Sequence, residues 1–134
     1  MGMEQSVSFA GKSIPAYSTV RDFLGQRSFP LQMGMIDGQL AFPDEQPEEN
    51  WRELRLRTPQ GMVTVRRAAE RLIFVTWGNA DAAMLQAWNA VVWAFAEVGN
   101  GLVETPEGPL SARIYSEQAD LPSAIGPADG EPGA

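Results

Sequence analysis

The chain has 134 residues, 44% hydrophobic and 20% charged, with a net charge of −7 and neither cysteine nor histidine. That length suits a single domain, which buries roughly two-thirds of its unfolded surface without staples. The missing residue types exclude disulfides, thiolate and imidazole metal sites, and the usual base partner of a serine nucleophile, while the negative charge opposes generic nucleic-acid binding.

The longest apolar runs, LIFVTW and AVVWAFA, fall far short of the roughly 20 residues that span a bilayer. No basic region precedes an apolar block near the start, so no secretory leader is expected and the protein is read as cytoplasmic. Met1-Gly2-Met3-Glu4-Gln5-Ser6 fits the loose N-myristoylation pattern. No polybasic or second acylation signal accompanies it, and a single acyl chain holds a membrane only marginally, so it is read as an ordinary start.

The segment SVSFAGKSIPAY (6–17) is predicted to form a short hairpin, with Val7 and Phe9 alternating and Gly11 at the turn. Ser18 as N-cap and Gly25 just past the end predict one or two helical turns, with Val20, Phe23 and Leu24 on one face. LQMGMIDGQLAF (31–42) carries a stronger hairpin signal: Leu31, Met33 and Met35 alternate and Asp37-Gly38 suits a type I′ turn. PDEQPEEN (43–50) has two prolines, four acids and no apolar residue, and is expected to be a solvated loop.

In WRELRLRTPQGMVTVRR (51–67), Thr58-Pro59-Gln60-Gly61 suits a type I turn. That turn pairs Arg57 with Met62, Leu56 with Val63, Arg55 with Thr64 and Leu54 with Val65. Leu54, Leu56, Val63 and Val65 then share an apolar face, leaving Arg55, Arg57 and Arg66 on the other with Met62, Thr64, Trp51 and Glu53. A shift of one residue would mix arginine and valine on both faces, so the pattern selects this register. Residues 68–71 form a tight link. Leu72 to Trp77 is apolar on both parities and predicts a central strand covered on both sides.

Asn79 is the expected N-cap of the main helix, 80–98, with Asp81 in its first turn. Met84, Leu85, Trp88, Val91, Val92 and Phe95 form its apolar stripe. Ala83, Gln86, Ala90 and Glu97 lie opposite, with Ala82 and Trp93 on their shoulder. Gly99-Asn100-Gly101 ends the helix, Leu102 to Thr105 reads as a strand and Pro106 to Pro109 as a turn. Ser111 as N-cap, with Ile114, Gln118 and Leu121, favours a short helix. The tail IGPADGEPGA is expected to be disordered.

The expected architecture is therefore α+β: a mainly antiparallel sheet of about five to seven strands against one long helix (80–98), with one or two short extra helices. One domain spans 1–121 and a flexible tail 122–134.

Two surfaces are candidates for function. Arg55, Arg57, Arg66 and Trp51 would suit a phosphate, a carboxylate or an acidic segment, because guanidinium forks match such anions. The competing reading is the wet side of an ordinary hairpin, neutralised by Glu53 and the acids of 44–49. Trp93, with Ala90, Gln86 and Glu97, is the candidate partner interface, since aromatic anchors concentrate at interface centres. Cover by the protein's own 110–121 segment or its N-terminal hairpin is the competing reading.

Catalytic candidates are thin. Glu104 and Glu107 would have to face Asp81 or Glu97 across a cleft. A Ser–Lys dyad would need Lys12, the only lysine, beside Ser13. No nucleotide-binding loop or nucleophile elbow occurs. The expected function is a non-catalytic module that binds itself or a partner protein, without cofactor or metal; the alternative is a binder of a small anion, with or without catalysis. Under the first, Trp93→Glu is expected to abolish association and leave the fold intact.

Overall fold

The computed structural model describes residues 2–123 and 125. Eight strands form one antiparallel sheet: β1 (Gly2–Ser8), β2 (Gln32–Ile36), β3 (Gln39–Leu40), β4 (Glu53–Thr58), β5 (Gly61–Ala68), β6 (Arg71–Trp77), β7 (Leu102–Thr105) and β8 (Gly108–Ser111). Three helices join them: α1 (Tyr17–Gly25), α2 (Ala82–Gly99) and α3 (Ala112–Gln118). The spatial order is β3-β2-β4-β5-β6-β1-β7-β8. The fold is α+β as expected, with one strand more than the upper expectation. Among the described residues no helix is long and apolar enough to cross a membrane.

The central ribbon follows its alternation. Arg57 pairs with Met62, Leu56 with Val63, Arg55 with Thr64 and Leu54 with Val65. Leu54, Leu56, Val63 and Val65 are all fully buried, facing the long helix. The Thr58 hydroxyl closes the turn by donating to the Gly61 carbonyl at 2.8 Å. Ala68 pairs with Arg71 across a two-residue link in which Ala69 takes a φ of 57°.

The N-terminal hairpin does not form. β1 is a single strand inserted between β6 and β7, pairing Val7 with both Leu72 and Val103. Gly11 turns, at a φ of 76°, but the chain that follows leads into α1 instead of returning as a strand. The non-local pairing buries Val7 fully, which a two-stranded local hairpin would not. At the other end Gly108–Ser111, expected to begin as a turn, pairs back on β7 as β8.

β6 is central, but its two faces differ. Leu72, Phe74 and Thr76 are buried under α2, whereas Ile73 and Val75 are half-buried on the other side. Cover on both sides was expected; among the described residues all three helices lie on one side of the sheet. α2 packs on β1, β5, β6 and β7, with α1 and α3 packed against α2. Buried between the sheet and its neighbours, every residue of α2 from Ala90 to Ala96 is out of water. Phe95 meets Phe74 of the sheet, ring centroids 5.4 Å apart.

The helix ends differ from expectation in detail. α2 begins at Ala82, and its cap is Asp81, whose side chain accepts from the Met84 N–H at 2.9 Å. Asn79 lies too early to reach those donors. Asp81→Ala should cost about 1 kcal/mol, while Asn79→Ala should change little. Thermal unfolding of the two variants checks this, and equal losses would refute the assignment. α1 starts two residues earlier than its polar signal at Ser18, after Ala16, which supplies no side-chain cap, and Gly25 is its last residue, with Gln26 as C-cap. Ser111 caps α3 by accepting from Ile114 N–H at 3.3 Å. There Ala112 and Tyr115 are buried, whereas Ile114, one of the residues that suggested the helix, is exposed.

Of the tail expected to start at 122, Ile125 is buried and belongs to the core; Ala124 and the segment 126–134 lie outside the described residues.

Both tyrosines are core residues. Burial pushes the Tyr17 phenol up from 10.0 to about 12, against a smaller lowering by Arg21, and raises that of Tyr115 too. The fold therefore favours the neutral ring. That stability is whole below pH 10, the unfolded value, and fades as pH climbs towards the folded one. An ultraviolet titration should show no tyrosinate forming near pH 10 before the chain unfolds. A reversible step there in folded protein would contradict the burial.

Candidate functional site

The helix-free side of the sheet follows from the pairings, since directly opposed antiparallel residues share a face. One row runs Leu40, Met35, Arg55, Thr64, Val75, Glu4. A second runs Glu53, Arg66, Ile73, Ser6, Glu104. Arg55, Arg57 and Arg66 thus do share an exposed face, as the alternation required.

Their charges are handled unequally. Arg66 pairs with Glu53 at 3.0 Å, and Arg71 with Glu104 at 3.1 Å. Both pairs are solvated, so each contributes about 0–1 kcal/mol. Arg55 and Arg57, two residues apart on β4, have no carboxylate partner among the described residues.

A β-bulge builds the rest of this patch. The pairing of β2 with β4 shifts between Met33 and Met35, leaving Gly34 as the extra residue. Met33 opposes Leu56 and is fully buried; Met35 opposes Arg55 and faces out. Simple alternation had put both on one face. A glycine is required at the bulge because a Cβ there would sit 2.9 Å from the Arg55 carbonyl oxygen, with Met62 Cε at 3.4 Å and Arg57 Cγ at 3.6 Å. The type I′ turn, with φ of 50° at Asp37 and 86° at Gly38, then carries the flipped register into β3. The Asp37 carboxylate accepts from the Glu53 and Arg52 N–H groups, which hold it below its ordinary 3.8.

The consequence is exposure. Ala41 packs against the core, so its neighbours Leu40 and Phe42 point to the open side, 84% and 75% exposed. With Met35 and the 38%-exposed Met62 they form an apolar patch abutting Arg55 and Arg57. Sequence reasoning missed Leu40 and Phe42. The signal was Gly34, a glycine inside a strand, which marks a bulge.

Trp51 is not on this face. It precedes β4, is 3% exposed, and lies under the Arg67 guanidinium, which stands 4.5 Å from its ring centroid. Arg67 Nε donates to the Trp51 carbonyl at 2.8 Å and Nη2 to that of Glu49 at 3.0 Å, tying the acidic loop to β5. The alternation expected for Trp51 fails because the residue lies outside the strand. Beside it a cavity of about 650 Å³ is lined by Ser13, Tyr17, Ser18, Glu48, Trp51 and Arg67 among others. Its only guanidinium already serves two carbonyls and two carboxylates line the same space, which opposes an anion.

Trp93 and Ala90 do not form an exposed interface. Trp93 is 2% exposed against Phe23 of α1, ring centroids 5.2 Å apart, and Ala90 is fully buried. Gln86 donates to Asp120 Oδ2 at 3.0 Å, and Glu97 is exposed alone. The cover comes from α1, whose packing no local pattern reveals.

The catalytic candidates disperse as well. Lys12 Nζ donates to the Asn100 carbonyl at 2.9 Å, Asp81 caps α2, and Glu104 is paired with Arg71. Among the described residues no three carboxylates gather into a cation site.

The chain matches no family model, no curated protein and no solved structure.

Proposed function

We propose that this protein is a non-catalytic interaction module, binding a protein partner through the open side of its sheet at the β3–β2–β4–β5 end. One observation carries the reading: Leu40 and Phe42 stand 84% and 75% exposed at the sheet end where Arg55 and Arg57, across β2 from Leu40, have no carboxylate partners among the described residues. Apolar anchors flanked by arginine are the composition of a binding surface. Among the residues whose burial is described, Phe42 is the one exposed aromatic; Phe23 is half-buried and the others are buried. Trp93 and Ala90, the centre of the partner face favoured by the helix pattern, are buried, which favours the sheet over α2.

Leu40→Glu/Phe42→Glu tests this without threatening the core. Immobilised wild-type chain should retain proteins from native extract that the double variant, equally folded by circular dichroism, releases. Identical retained sets would sink the proposal.

The unpaired state of Arg55 and Arg57 also favours a second reading, a small anion held between them. Phosphate or a dicarboxylate at millimolar concentration should then raise the melting temperature, since a ligand of the folded state alone stabilises it. No shift, or one retained in Arg55→Gln/Arg57→Gln, would exclude it.

A further inference from the structure

We infer that the occupant of this patch is a second copy of the same chain, paired about a two-fold axis beside Leu40 and Phe42. The inference rests on the proposed binding role of the open sheet side and supplies its partner.

Charge complementarity points to this partner. Arg55 and Arg57 call for carboxylates that the described part of the same molecule does not bring to them. The chain is itself acidic, with a net charge of −7, and places acids directly after its exposed apolar pair. Phe42-Pro43-Asp44-Glu45 forms a tight turn in which Glu45 N–H donates to the Phe42 carbonyl at 2.9 Å. The Glu45 side chain returns to accept from Phe42 N–H at 3.0 Å, which fixes one of its carboxylate oxygens beside the aromatic residue. Asp44, at the tip, is exposed and makes no side-chain bond among the described residues.

The strip is thus self-complementary. From Leu40 the arginine column lies two strands away, roughly 10 Å at the usual spacing. The acidic turn lies on along the chain from Phe42. A two-fold axis by the apolar pair packs Leu40 and Phe42 on their symmetry mates and sets each Asp44 turn against the other copy's Arg55 and Arg57. Such an isologous contact uses one patch twice and closes on itself. Lateral growth through the sheet edge is disfavoured, because β3 is two residues long and Pro43 soon follows it. The patch is small, so the dimer should be weak, with dissociation constants of about 10 µM to 1 mM.

Sedimentation velocity across that concentration range provides the test. Wild-type chain should pass from monomer to dimer. Leu40→Glu/Phe42→Glu should remain monomeric while folded by circular dichroism. Arg55→Glu/Arg57→Glu and Asp44→Arg should each weaken association about tenfold or more. Mixed together, these two variants should associate, because each turn then meets the opposite charge. A wild-type monomer throughout, a dimer indifferent to the substitutions, or a mixture no tighter than its components would overturn the inference. A monomeric wild type whose retained extract proteins still depend on Leu40 and Phe42 would overturn the second copy alone. Loss of that dependence strikes at the binding role itself.

Discussion

Trp93→Ala should destabilise the folded chain by about 3–5 kcal/mol, the range for emptying an aromatic site in a packed core. Trp93 is 2% exposed and tilts 48° against Phe23, so its removal opens a void between α1 and α2 that neither helix can close alone. Each kcal/mol lowers the melting temperature of a chain this size by about 3–5 °C, so a fall of 10 °C or more is expected. Trp93→Glu should be worse. A carboxylate there would place a charge in an apolar site that is 2% exposed, which costs far more than the lost ring. The expected product is unfolded or protonated and molten, the opposite of a folded chain that has merely lost a partner. A Trp93→Ala melting temperature within a degree or two of wild type would refute the placement of α1 over α2.

Gly101→Ala should cost about 1–3 kcal/mol through overpacking. Asn100 takes φ 55° to end α2, and the Gly101 N–H donates back to the Ala96 carbonyl at 2.9 Å. The turn thereby drops onto Phe9, just past β1. A Cβ on Gly101 would lie 2.8 Å and 2.9 Å from two Phe9 ring carbons and 2.9 Å from the Ser8 carbonyl oxygen. The ring is 1% exposed and the oxygen is backbone, so neither yields easily. Gly25→Ala is the control. It ends α1 with nothing within 4 Å of a new Cβ, so the same substitution should stabilise by about 0.5–1 kcal/mol through the unfolded state. Chemical denaturation of both variants gives the comparison, and equal effects would show that the contact with Phe9 is not what matters.

Much of the fold was legible because it is local. The register of β4 on β5, the Asp37-Gly38 turn, the solvated 43–50 loop, the end of α2 at Asn100 and the Ser111 cap all depend on residues a few positions apart. Their physics is alternation, turn chemistry and orphan helix donors. The arginine face was legible for the same reason, and Arg55, Arg57 and Arg66 lie where alternation put them. Asp81 was placed in the right turn but given the wrong role, since capping geometry resolves two neighbouring polar residues only once the first helical residue is fixed.

The rest depended on partners distant in sequence. Nothing near Val7 tells that β1 will slot between β6 and β7, because that choice compares whole strands competing for one edge. Nothing near Trp93 tells that α1 will lie on it: a helix pattern shows which side is apolar and not what arrives to cover it. Gly34 is the intermediate case, visible in the sequence but ambiguous until β4 opposes it. One extra residue there reverses the sense of every following side chain, taking Met35, Leu40 and Phe42 from the core to the open side. By itself the sequence determined most of the elements, the inward side of the central ribbon and the chemistries ruled out by the lack of histidine and cysteine. Tertiary structure alone decided which apolar residues meet water, because burial is a property of the pair that meets and not of either surface alone.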